Sequence, residues 1–477
     1  MNKLILYLLG MSLMSCHISN KEMIKRYFEQ TEDSVCLASY EFLVENTTKN
    51  QLDFWVNNYK DLVIDDITLA VVNYRSIQKE YDIPFSVFCE YVLPIQIDQE
   101  PLENWRENCL DIYGKFQGMP IEFVCDTLNH ILGENFGFSL QSPSSPNMSW
   151  SHLDTLQKGD CFHMAKSVLY PLRALGYPTT IDFVPCWGNT TGAHSWNVIY
   201  VDGKMIPFMG REAGIYEYDP FCGYDFQDSI KMKIANPFRY PAKVYRKKFS
   251  INKRIKELTE NKGETDIPPF MRDSRIQDVS AEYFPVTDIQ IVLNASVIPL
   301  EPIYLAVYSN DWTITAYPEN QDEKQAFFKD VKTEMLYMPV VFRKGKVIPV
   351  DQPFVVDKTG KKCPIVLTGQ KDTCRISYLL PMRQDLSQAV ANKDNLTFDI
   401  FDRIYTGEKR TKPITNKEYS LYCWEQDHWG YVESVKAVNG KLLFTHVPQG
   451  GLLFLAEDGD RFIGRCFTYE NGEMNWW

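Results

Sequence analysis

Between residues 52 and 81, LDFWVNNYKDLVIDDITLAVVNYRSIQKEY repeats apolar residues every three or four positions, with acids and bases on the opposite face. That period matches the turn of an α-helix and predicts amphipathic helices. LENWRENCLDIYGKF, residues 102–116, repeats the pattern, and Pro84 and Pro94 punctuate the apolar segment between the two. The spacing predicts a helical domain over 21–135, with Phe85, Phe88, Tyr91 and Trp105 in its core.

The pattern changes after residue 135. A Ser/Pro/Asn loop, SLQSPSSPNMSWSH, leads into a run whose apolar positions 161, 164, 165, 168, 169, 172 and 175 form one helical stripe, and Gly176 is a natural stop. Pro171 removes a helical hydrogen bond and predicts a kink or an early end there. TTIDFVPCW and AHSWNVIYVDGKMIPFMG then have the β-branched and aromatic composition of strands. Asp202-Gly203 is the hairpin turn between two of them, because glycine accepts positive φ. Helix followed by strands predicts an α+β core over 136–245. Residues 246–269 read as a charged linker ending at Pro268-Pro269. Downstream, short strand-like runs predict two β-sandwich-like domains, 270–385 and 386–477, with Trp312, Trp424, Trp429, Trp476 and Trp477 mostly in their cores.

Charge narrows the partners. The chain carries 50 basic against 62 acidic residues, a net charge of −12, which repels phosphate backbones and argues against nucleic acid. The N-terminus, MNKLILYLLGMSLMSC, joins Lys3 to an apolar stretch, Leu4 to Met14, too short to span a bilayer. Leu13-Met14-Ser15-Cys16 resembles a bacterial lipobox, which implies lipidation at Cys16 and a cell-envelope location, periplasmic or at the outer-membrane surface; a plain secretory signal is the alternative. No later apolar run is long enough to cross a membrane, so the expected membrane association is the lipid anchor alone. Of the 12 cysteines none forms a C-x-x-C pair, and none has zinc-ligand spacing with a histidine pair. No metal or cofactor is expected.

Cysteine chemistry needs a thiolate, a base that takes its proton, and a group that orients the base. Cys161 falls at the start of the predicted helix, where the helix dipole lowers thiol pKa and unpaired backbone N–H groups face a developing oxyanion. Asp160 is placed as its N-cap. His194, at the start of a predicted strand, is the candidate base. His163 points about 200° around the helix from Cys161 and reads as a surface or supporting group.

These residues resemble transglutaminase-like thiol enzymes, which share a papain-like core. The likeness rests on GDCFHMAKSVLYPLRALGYPTTIDF, similar to that family's Gly-x-Cys helix and its Leu-Arg-x-Leu-Gly-Tyr-Pro continuation, and on AHSWN, similar to its His-x-Trp strand. The whole chain is similar to exported transglutaminase-like proteins of the Bacteroides group, in segments such as FCEYVLPIQIDQEPLENWR, AEYFPVTDI and the terminal CFTYENGEMNWW. The resemblance implies Cys161 as nucleophile and His194 as general base. The family's third member, an Asp after the hairpin, falls at Met209 here, so Glu212, three residues on, becomes the candidate orienter, with Asp202 a weaker one. Trp196 and Trp187 are candidates to line the substrate cleft. The expected activity is acyl transfer or hydrolysis on peptide, protein or glycopeptide amides. The rival expectation, favoured by Met209, is a catalytically inactive module that binds a peptide or glycan.

Overall fold

A computed structural model describes residues 19–134, 136–139, 147–189, 192–210, 214–221, 224–225, 232–233, 239–292, 301–309, 311–379, 412–457, 461–462 and 465–477. The first part is helical: α1 (Asn20–Gln30), α2 (Ser34–Glu45), α3 (Lys49–Asn58), α4 (Lys60–Ile77), α5 (Phe85–Tyr91), α6 (Trp105–Tyr113) and α7 (Ile121–Gly133). Several starts are encoded locally. Ser19, Asp33 and Thr48 each accept a hydrogen bond from a backbone N–H of the first turn that follows. The apolar faces converge on a core that includes Phe28, Trp55, Tyr74, Phe88 and Trp105. Phe85 departs from expectation: it opens α5 and is 38% exposed.

After α8 (Trp150–Leu156) comes α9 (Cys161–Ala174), the central element of the fold. Every residue from His163 to Ala174 is buried, so the single stripe predicted from the sequence is too narrow. The helix is covered on one side by the helical domain and on the other by a sheet, and its polar residues find partners instead of water. Lys166 Nζ reaches Glu100 Oε2 at 2.9 Å and Asp98 Oδ2 at 3.4 Å, and Arg173 Nε donates to the Thr179 carbonyl at 2.8 Å. Pro171 does not end the helix. It lies in the last turn, where its carbonyl still accepts from Leu175 N–H at 3.0 Å. Tertiary donors then satisfy the carbonyls at the C-terminus: Arg106 Nη1 bonds the Arg173 carbonyl at 3.2 Å and Asn73 Nδ2 the Ala174 carbonyl at 2.7 Å. Gly176 follows at φ +94°, where a Cβ would come within 2.8 Å of the Asn73 carbonyl oxygen.

The sheet against α9 is antiparallel. Its strands are β1 (Thr179–Val184), β2 (His194–Val201), β3 (Lys204–Phe208), β4 (Tyr245–Lys247) and β5 (Ile276–Asp278), in the order β3-β2-β1-β4-β5. Asp202 at φ 47° and Gly203 at φ 84° turn β2 into β3 as expected. The stretch 246–269 is not a free linker. Arg246 and Lys247 belong to β4, β5 extends the sheet beyond the stretch, and helix α10 (Lys253–Thr259) lies between them. The charges that suggest a solvated linker are paired within the protein: Arg246 with Asp182 at 2.8 Å and Lys247 with Asp98 and Asp273.

The remainder is β-rich. One unit packs a sheet of Val286–Val292, Asn320–Gln321 and Gln325–Lys332 against a sheet built on Tyr304–Tyr308, Trp312–Ala316 and Met335–Arg343. The other centres on Glu418–Glu425, His428–Lys436 and Leu452–Glu457. Strand Lys371–Ile376 pairs with Leu442–Pro448 and so belongs with the last unit, ahead of the expected division at 385, which itself lies outside the described residues. The two units share an apolar contact in which Trp312 meets Trp424 edge to face at 5.7 Å. Among the described residues no helix is long and apolar enough to cross a membrane.

Candidate active site

Asp160 caps α9 as its sequence position suggests: Oδ1 accepts from Phe162 N–H at 3.0 Å and His163 N–H at 3.1 Å. Cys161 is the first residue of the helix. Its thiol stands at the positive end of the helix dipole. The Phe162 and His163 N–H groups, expected to be open to a developing oxyanion, are already used by the cap. His163 is buried, and its Nδ1 lies 2.7 Å from Asp160 Oδ1, so it is a supporting group and not a surface one.

Cys161 is half-buried, as is Cys363 in the first β-rich unit; the other described cysteines are buried, and none of the described cysteines is in a disulfide. Burial makes the latter poor nucleophiles, raising Cys36 to about 11 and Cys89 to about 12. Cys161 packs against a cluster formed by Met164 of α9, Val184, Trp187, Trp196, Val198, Met209 and Tyr218.

His194 opens β2, paired with Val184 of β1, and its ring lies among the same residues. Ring centroids stand 5.8 Å from Trp196, 6.2 Å from Trp187 and 6.5 Å from Tyr218. Nε2 is 2.6 Å from the Tyr218 hydroxyl. Burial among aromatics, with the Arg239 charge adding to it, lowers the His194 pKa to about 3, so the ring is neutral at physiological pH. Arg239 itself stacks over Trp187 at 5.4 Å.

The strand that carries His194 is tied to the helix that carries Cys161. Asn197, wholly buried, donates through Nδ2 to the Ala165 carbonyl at 2.9 Å and accepts at Oδ1 from Gly210 N–H at 3.1 Å. Gly210 has no room for a side chain, since a Cβ would lie 2.7 Å from Asn197 Oδ1 and 2.9 Å from Val168 Cγ2. Behind the histidine a second network braces Trp196. Its Nε1 donates to the Tyr283 hydroxyl at 3.0 Å, which donates to Asp182 Oδ2 at 2.6 Å. Asp182 holds Arg246 in a two-pronged pair at 2.9 and 2.8 Å.

One expectation is corrected by these positions. Trp196 is fully buried and Trp187 is 3% exposed, so both wall the imidazole instead of offering a face to substrate. Met209 is a core residue beside Trp196, and among the described residues the group that meets His194 Nε2 is the Tyr218 hydroxyl, which no sequence signal singled out. Asp202 lies at the exposed hairpin tip, away from the site. Glu212, proposed as orienter, and Cys16, the expected lipidation site, lie outside the described residues. Among the described residues no three His, Cys, Asp or Glu side chains converge to hold a metal ion. A cleft of about 740 Å³ opens between α3, the 96–102 loop and residues 272–275, and neither Cys161 nor His194 is among its lining residues.

No family model matches the chain, and no curated protein matches it. Several solved structures do. A proposed cysteine protease from Cytophaga hutchinsonii is 17% identical over 23% of this chain and 38% of its own, with a TM-score of 0.20. The periplasmic domain of TgpA from Pseudomonas aeruginosa, solved with ethylmercury, is 18% identical over 24% of this chain and 46% of its own, at 0.19. Red sea bream transglutaminase is 10% identical over 76% of this chain and 71% of its own, at 0.21. The chain thus spans less than half the length of the first two. The solved structures it is similar to are of the transglutaminase-like and cysteine-protease-like kind.

Proposed function

We propose that this chain is a cysteine-dependent amide hydrolase or acyltransferase of the transglutaminase-like kind, with Cys161 as nucleophile and His194 as its base. One observation carries the reading: a half-buried cysteine at the first position of α9 and a histidine at the first position of β2 pack on one aromatic cluster, with Asn197 clamping the two elements together. In the reaction His194 takes the Sγ proton and the thiolate adds to the amide carbonyl carbon. As the C–N bond breaks, the amine leaves with the proton from the imidazolium. Water then attacks the thioester, gives a proton to His194, and the C–S bond breaks to release the acid and the thiol. An amine in place of that water gives transfer. The substrate class is a peptide, protein or glycopeptide amide. Export, with a lipid anchor at Cys16 in the cell envelope, belongs to the same proposal and rests on the Leu4–Cys16 stretch alone.

Met209 in the place of an acid, together with the low basicity of His194, favours a second reading, a catalytically inactive module that binds a peptide or glycan. A panel of peptide and glycopeptide amides separates the two. Wild type should release amine from some member, and Cys161→Ala and His194→Ala should lose that release while still binding the substrate. Equal amine release by wild type and Cys161→Ala, with binding intact, supports the module and removes the enzyme.

A further inference from the structure

We propose that Tyr218 orients His194 for Cys161, standing where a carboxylate acts in other thiol sites, and that this neutral partner leaves the thiol and the imidazole uncharged until a substrate engages them. The inference deepens the enzymatic reading above and rests on it. Its basis is the 2.6 Å contact between the Tyr218 hydroxyl and His194 Nε2, which leaves Nδ1 as the nitrogen for the thiol. Tyr218 is itself 7% exposed and held in the cluster that includes Met209 and Trp196, so its hydroxyl does not swing freely.

The difference between a phenol and a carboxylate is chemical. A carboxylate only accepts, so it holds the proton on Nε2, keeps Nδ1 open as a base, and stabilises the imidazolium by its charge. A phenol either accepts from Nε2–H or donates to bare Nε2, and the second arrangement places the proton on Nδ1, where it cannot take one from sulfur. It also brings no negative charge. Among the described residues, the other groups around the ring do not supply one. Trp187 and Trp196 are apolar walls, and Arg239 over Trp187 adds positive charge that opposes protonation. On the Tyr218 segment, Asp219 Oδ1 accepts from Phe221 N–H. Behind Trp196, Asp182 and Glu282 are both committed to Arg246. From α9, Cys161 is the ionisable group that packs on the cluster, and Asp160 is engaged with His163. Among the described residues an imidazolium–thiolate pair therefore finds no anion like the one that sustains it in a site with an aspartate, and the burial of His194 acts in the same direction.

The test measures alkylation of Cys161 by iodoacetamide from pH 5 to 10, located by mass spectrometry, and the ring ¹⁵N shifts of His194 in the full chain. Wild type should show a single rise with a midpoint near or above that of a free thiol, about 8.5, with no plateau at acid pH, and a His194 ring that stays neutral at pH 5. Tyr218→Phe keeps the shape and removes the hydroxyl. It should lower alkylation at pH 7.5 roughly five- to tenfold and change the tautomer balance read from the ¹⁵N shifts. An acid plateau in wild type, from a standing thiolate, overturns the inference and leaves the enzymatic reading intact. So does a Tyr218→Phe protein whose ¹⁵N shifts and rates match wild type while His194→Ala differs from it. If His194→Ala alkylates as wild type does at every pH, the enzymatic reading itself fails. Should Tyr218→Phe not fold, the wild-type ¹⁵N shifts and pH profile still decide.

Discussion

The Asn197 side chain donates to the backbone carbonyl of Ala165 at 2.9 Å, and through this bond the strand that begins at His194 is held to the helix that begins at Cys161. Asn197 lies three positions after His194 and Ala165 four positions after Cys161, so the bond lies within about one helical turn of the reacting groups on one side and three strand positions on the other. The same amide receives Gly210 N–H, which closes the end of β3 onto α9.

Replacing Asn197 by Leu leaves the Gly210 N–H and the Ala165 carbonyl without these partners in a dry interior. That should cost about 1–3 kcal/mol of stability and reduce Cys161 reactivity by loosening its alignment with His194. Gly210→Ala should cost a similar amount by crowding, since its Cβ meets Asn197 Oδ1, Val168 Cγ2 and the Met164 carbonyl. Urea unfolding with unchanged m-values checks both, and a neutral Asn197→Leu would remove the clamp from the account.

Acid should weaken the fold through His194. The folded-state pKa is lowered to about 3 by burial, against about 6.5 in an unfolded chain. The unfolded chain therefore binds the proton first, and stability present above pH 6.5 is lost as pH falls from there toward 3. His194→Gln should flatten the slope of unfolding free energy between pH 6.5 and 4. Parallel slopes in wild type and variant would show that the ring is not enclosed as described.

Thiol accessibility offers a check on the site that needs no substrate. Cys161 and Cys363 are the described cysteines that are not buried, while burial raises Cys374 and Cys423 to about 12. With Cys16 and Cys222 changed to Ser, the native protein should titrate about two thiols quickly and the rest only on unfolding. Cys363→Ser should remove one of the fast pair and Cys161→Ser the other. A fast thiol surviving both changes would contradict the core drawn around α9.

Local signals carried much of the organisation. Helical periodicity, the Asp160 cap, the Gly176 stop and the Asp202-Gly203 turn each act within a few residues, so they were legible in the chain, and with them the placement of Cys161 on a helix start and His194 on a strand start. What the tertiary structure decided lies at longer range. Arg246 and Lys247 look like solvated linker charges because nothing adjacent pairs with them; their partners Asp182 and Asp98 are 64 and 149 residues away. The full burial of α9 depends on two layers closing over it, and its Lys166 finds Glu100 66 residues back. Tyr218 meets His194 across 24 residues, and in that interval one tyrosine looks like any other until the chain folds back. Periodicity reports which face of an element is apolar. Which polar group completes a site is set by where separate elements meet, and that is a property of packing.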